Sequence, residues 1–176
     1  GTGPHWLEVW DVETNNRVAR TTCDELVRYL RVAPEGDHAV FCGTHGPARY
    51  WSKSLGDEVR LLQAAHPAAV GLAITADGSR AAVSHLAGVI VFDTATGEQV
   101  WRRDHDFGQK GIAYSHDGKR LAVGDGSVLR IYDATTGKEL LPHTGPQAPI
   151  SAIALSPDGK HTALWDTAHE LSLWDK

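Results

Sequence analysis

One feature constrains this chain more than any other: a repeat with a period near 41 residues. Its clearest marker is a turn dipeptide, Asp77-Gly78, Asp117-Gly118 and Asp158-Gly159, with Glu35-Gly36 as a weaker copy; the four glycines are 42, 40 and 41 residues apart. A second marker trails each turn by 15 or 16 residues: Trp51-Ser52, Phe92-Asp93, Tyr132-Asp133 and Trp174-Asp175, with Trp10-Asp11 in front. Its second residues are 41, 41, 40 and 42 apart. Two independent markers on one period define a repeated supersecondary unit. Such a unit cannot bury its apolar face alone and must stack on its neighbours.

Each unit reads as four short strands, a to d. Strand a precedes the Asp-Gly turn, as in VGLAIT (70–75) and ISAIALS (150–156), and strand b follows it, as in RAAVS (80–84) and RLAVG (120–124). Strand c is VIVF (89–92), VLRIY (128–132) and LSLW (171–174); strand d follows Thr96-Gly97 or Thr136-Gly137, giving EQVW (98–101) and KELL (138–141). Asp-Gly and Thr-Gly between β-rich runs are hairpin punctuation, because glycine adopts positive φ without steric cost. No segment sustains a 3.6-residue period, so the fold class expected is all-β, built of four-stranded antiparallel blades.

Strand a carries large apolar residues around a small one: Leu72-Ala73-Ile74, Ile112-Ala113-Tyr114 and Ile153-Ala154-Leu155. That alternation suits a strand sandwiched between two sheets. Leu30-Arg31-Val32 breaks it, and a guanidinium cannot be buried there unpaired. Arg31 is expected to face a central channel or to meet Asp24 or Glu25. The aromatics closing strand c (Trp10, Trp51, Phe92, Tyr132 and Trp174) are expected in the core. Asp77, Asp117 and Asp158 are expected to be structural turn residues.

LSPDGK (155–160), the Trp-Asp pairs at 10–11 and 174–175, and the softened FD (92–93) and YD (132–133) resemble WD40 repeats. The resemblance spans essentially the whole chain. It implies a β-propeller with strands a to d running outward from a central channel. It also implies a non-catalytic interaction or sensor scaffold with a protein or peptide partner. His66 and His105 fit the position of the histidine found between strands d and a of that family; His143 is displaced. The aspartate seven residues before the closing Asp is replaced by Pro4, His45, Leu86, Gly126 and Ala168, with Asp125 one position away. VFDTATGEQVW (91–101) also resembles repeats of quinoprotein dehydrogenases, which leaves a quinoprotein-like propeller oxidoreductase as the alternative.

Residues 1–176 are expected to form one propeller segment. Strands c and d of one blade occupy 1–20, full blades about 21–63, 64–103 and 104–143, and strands a to c of a last blade 144–176. That makes just over four blades, a partial or unusually small propeller. Further blades of a parent chain, or a second copy, would close the ring. The excerpt is favoured, because 6–10 and 171–174 compete for one slot; the lack of any Met also suits an excised piece.

Composition narrows the function. Net charge is −5 and no run of like charge stands out, which argues against nucleic acid. No apolar run reaches the roughly 18–20 residues of a membrane helix. Cys23 and Cys42 do not make a disulfide framework, so a reducing, cytoplasmic setting is expected. The ten histidines lack metal-ligand spacing, and no nucleophile elbow or nucleotide loop occurs. No cofactor, no metal and no catalytic residues are therefore expected. The a–b and c–d turns are short and regular, whereas the d–a and b–c loops vary: CGTHGPA (42–48), SHLAG (84–88), GDGS (124–127), WDTAHE (165–170) and PHTGPQAP (142–149). Function concentrates on variable loops over a fixed scaffold. The binding candidates are Trp165, Asp166, His169, His45, His85, Asp125 and Arg31. Trp165 leads, because its column otherwise holds Cys42, Ser84 and Gly124.

Overall fold

The computed structural model describes residues 5–23, 26–43, 46–62, 69–104, 111–144, 146 and 148–175. Among these the fold is all-β, in five antiparallel sheets. The first sheet pairs β1 (His5–Asp11) with β2 (Asn16–Cys23). The second holds β3 (Tyr29–Val32), β4 (His38–Cys42), β5 (Arg49–Ser52) and β6 (Arg60–Leu61). The third holds β7 (Ala69–Ile74), β8 (Arg80–His85), β9 (Gly88–Asp93) and β10 (Gln99–Asp104). The fourth holds β11 (Ile112–Tyr114), β12 (Arg120–Asp125), β13 (Val128–Asp133) and β14 (Glu139–Thr144). The fifth holds β15 (Ile150–Leu155), β16 (His161–Asp166) and β17 (Leu171–Asp175). Each sheet is a meander, each strand paired with the next in sequence. A single 3-10 turn, Lys53–Leu55, separates β5 from β6 where the third and fourth sheets use a Thr-Gly turn. Among the described residues no helix is long and apolar enough to cross a membrane.

The turn after each strand a is built the same way three times. Thr75, Ser115 and Ser156 donate their hydroxyls to Asp77, Asp117 and Asp158 at 2.6 Å. The same hydroxyls accept the N–H of Arg80, Arg120 and His161. Each aspartate also accepts the backbone N–H two residues on. Gly78, Gly118 and Gly159 sit at φ of 68, 68 and 66°, the left-handed region that glycine enters freely. Asp77, Asp117 and Asp158 are thus turn architecture.

Register places equivalent residues on equivalent faces. Ala73, Ala82 and Val91 are cross-strand neighbours, as are Ala113, Ala122 and Ile131. Each such column packs on the next sheet. Ala73, Ala82, Val89 and Val91 meet Ile112, Leu121, Val123 and Tyr132 in one core layer. Val40 and Tyr50 meet Leu72, Val83 and Ile90 in the layer before; Ala122 and Ile131 meet Ile150 and Leu164 in the layer after. Small residues on one side let the large ones opposite fill the gap. The contacts between these sheets run through strand a: β3 and β4 with β7, β7 with β11, and β11 and β12 with β15. Gly124 marks one such approach, since a Cβ there would come within 2.9 Å of Ile150.

The aromatic column divides. Trp51, Phe92 and Tyr132 are fully buried, and Trp51 Nε1 donates to the Gly56 carbonyl. Trp174 is only partly buried, and its Nε1 has no hydrogen-bond partner among the described residues. Trp10 corrects the expectation of a core aromatic: it is 50% exposed and reaches only Glu8. Its place in the repeat is the same, but among the described residues no sheet lies against that face of β1. Trp101 on β10 is instead buried, its Nε1 donating 2.8 Å to the Ala134 carbonyl of the fourth sheet.

Candidate functional site

The described b–c hairpins and the described ends of the d–a connections lie at the end of the sheets where strands a begin and strands b finish. Hydrogen bonds stitch neighbouring loops together there: Ile150 N–H donates to Gly126 O at 2.7 Å, and Thr167 N–H to Pro149 O at 2.9 Å.

His85, Asp125 and Asp166 end strand b in successive sheets and are all buried, at 3, 5 and 1% exposure. His85 Nδ1 accepts the N–H of Ala87. Asp166 Oδ1 accepts the N–H groups of Ala168 and Glu170 at 2.9 and 3.0 Å. Asp125 Oδ2 accepts from Arg130 Nε at 2.8 Å, and Arg130 also reaches Glu139. The Asp125 bond, opposed by burial and helped by Glu139, raises the already high pKa of the guanidinium. These three residues are buried and bonded within or beside their own b–c hairpins. Asp166 Oδ2 is buried without a partner among the described residues.

Trp165 and His169 differ from them. Trp165 is 41% exposed, and its ring lies 6.0 Å from that of His169 at 54°. His169 takes the left-handed conformation (φ 66°), which folds the turn back toward the indole. Ser151 Oγ donates to the Trp165 carbonyl. In the fourth sheet the same column holds Gly124, pressed against Ile150; on the fifth sheet the column faces outward, which gives the indole room.

Arg31 is exposed, and its Nη1 donates to the neighbouring Leu30 carbonyl at 2.9 Å. It lines a cleft of about 380 Å³ formed where β3, β7, β11 and β15 converge, together with Arg28, Tyr29, Gly71, Gly111 and Ser151. Asp24, Glu25 and His45 lie outside the described residues, as do His66 and His105. The structure therefore brings Trp165, Asp166 and His169 together, puts Arg31 in the inner cleft, and spreads His85 and Asp125 over separate hairpins.

Two features escaped the sequence reading. The hydroxyls of Thr75, Ser115 and Ser156 could have been found by their own spacing of 40 and 41 residues. Arg28 and Tyr29 carried no signal, because they precede the aligned part of strand a. Among the described residues no cluster of His, Cys, Asp and Glu could hold a metal ion.

No family model matches this sequence, and no curated protein matches it.

Proposed function

We propose that the chain is a run of WD40-like propeller blades acting as a non-catalytic scaffold, with a protein or peptide partner on the d–a and b–c loop face. Support comes from the repeated meander sheets, stacked through their strands a, and from the regular, self-satisfied turns at the opposite end. The observation that carries the binding face is Trp165, a 41% exposed indole set beside the loops and flanked by His169. Tryptophan is the residue type most enriched at interface hot spots. Cys23 and Cys42 are both buried, and two cysteines in a chain of this size make no disulfide framework, which suits a reducing, cytoplasmic setting.

The test is a peptide-display selection against the whole chain, followed by affinity measurement on Trp165→Ala. Loss of affinity by about tenfold or more, with an unchanged melting temperature, supports the reading. Selected peptides that protect the Asp-Gly turns, and that bind Trp165→Ala as well as the native chain, would overturn it.

A further inference from the structure

The inner cleft is lined by two arginines, Arg28 and Arg31; Arg60, Arg103 and Arg120 likewise reach backbone carbonyls and no carboxylate among the described residues, but none of those three lines this cleft. Arg17, Arg20, Arg80, Arg102 and Arg130 each meet a carboxylate. Arg28 and Arg31 meet none among the described residues, and no carboxylate lines the described walls of their cleft. Arg28 has only the Tyr29 ring, 5.6 Å from its guanidinium carbon, and Arg31 only the Leu30 carbonyl. The chain as a whole is acidic, at −5. Two guanidiniums with no carboxylate among the described residues of a partly enclosed cleft are an arrangement suited to an anion.

We propose that this cleft binds an oxyanion carried on a peptide, a side-chain carboxylate or phosphate, gripped by Arg28 and Arg31. The proposal rests on the loop-face reading above and gives that face its ligand chemistry. The cleft opens among the first residues of β7, β11 and β15 and just ahead of β3, which is the loop end of the sheets. A guanidinium presents a planar fork of N–H donors that matches the two oxygens of a carboxylate or phosphate. Arg31 Nη1 is engaged with Leu30, but its remaining donors have no partner among the described residues. Ser151 has its hydroxyl turned to the Trp165 carbonyl, so the arginines are the donors. Val70, Ala152 and Ile153, which are not fully buried, supply an apolar wall for the carbon stem that bears the anion.

The repeat itself supplies a conservative test. Arg31→Ala installs the residue that stands at the same place in the three later sheets, so it suits the local backbone. Binding of a capped hexaglutamate peptide, its hexalysine counterpart, a phosphoserine peptide and inorganic phosphate would be measured by calorimetry at two salt concentrations. The glutamate or phosphoserine peptide should bind, the lysine peptide should not, and affinity should fall with salt. Arg31→Ala should weaken binding about tenfold or more, Arg31→Lys less, and Arg28→Ala/Arg31→Ala should abolish it. Competition by free phosphate alone, with neither acidic peptide bound, would assign the site to a small anion and overturn the peptide part. No anion bound, or equal binding by native chain and Arg31→Ala, overturns the site itself. Should Arg31→Ala melt early, the Arg31→Lys ratio and the salt slope still decide. Display-selected peptides that bind through Trp165 while both acidic peptides fail would leave the loop-face reading standing and remove only this one.

Discussion

At the scale of single residues, the a–b turns join a hydroxyl, a carboxylate and a glycine into one unit. The hydroxyl bonds from Thr75 and Ser115, then the backbone N–H of Ser79 and Lys119, hold the carboxyls of Asp77 and Asp117 below the usual carboxylate range. A carboxyl whose pKa is lower folded than unfolded contributes stability that is full above the ordinary range and is lost as pH falls through its folded value. Both groups are largely in solvent, so each contribution is small. Asp117→Asn is expected to lower the melting temperature near neutral pH and to flatten its fall on acidification; an unchanged acid limb would contradict the turn as its source. Ser115→Ala is expected to cost about 1 kcal/mol in chemical denaturation. The turn aspartates and glycines were legible because they mark the period. Their hydroxyl partners were obscured, since the type alternates between Thr and Ser and Ala33 breaks the column. Arg31 was legible as an exception to a column of alanines, whereas Asp125 and Asp166, read as loop binders, prove to be tucked under the hairpins they close. Nothing in the sequence distinguishes a loop carboxylate facing a partner from one capping its own turn.

At the scale of elements, strand positions follow from alternation and turn punctuation, and the layers between sheets follow from register. One element departs from the pattern: β6 is only Arg60–Leu61, after the 3-10 turn that replaces a tight hairpin. There the second repeat lacks the Thr-Gly pair, so nothing in its residues anchors the start of strand d. The packing rule makes an asymmetric prediction. Leu72 is fully buried between the second and third sheets, and Leu72→Ala should cost about 2–5 kcal/mol. Leu171 is 67% exposed on β17, and Leu171→Ala should change stability by less than about 0.5 kcal/mol. Gly124→Val should destabilise by about 1–3 kcal/mol, because its Cβ would press on Ile150. Urea denaturation of the three variants checks the set, and equal losses at Leu72 and Leu171 would refute the stacking order.

At the scale of the whole molecule, the two outermost sheets each turn one face outward. On the fifth sheet that face carries Ala154, Ala163 and Leu173 in register, the same column that is covered in the third and fourth sheets, with Trp165 and Leu171 beside it. Leu173 is 75% exposed, and contiguous apolar surface of this kind favours association. Sedimentation of the chain should therefore rise with concentration, and Leu171→Lys/Leu173→Lys should suppress the rise; identical profiles for the two proteins would rule the face out. On the first sheet the outward face is different: it carries the half-exposed Trp6 and Trp10 among charges, with the Arg20 guanidinium carbon 3.7 Å from the Trp6 ring centroid and paired with Glu8. The sequence period marks both faces as repeat surfaces, but only the structure distinguishes the one where charges accompany the rings from the bare apolar one. The stacking through strands a also makes the molecule energetically one-dimensional: a middle sheet is held from two sides and an outermost one from a single side. Such a chain melts like a short row of coupled spins, from its ends inward. Amide exchange should consequently be fastest in β1 and β17 and slowest in β8 and β9, so that stability declines stepwise from the third sheet toward both ends of the row.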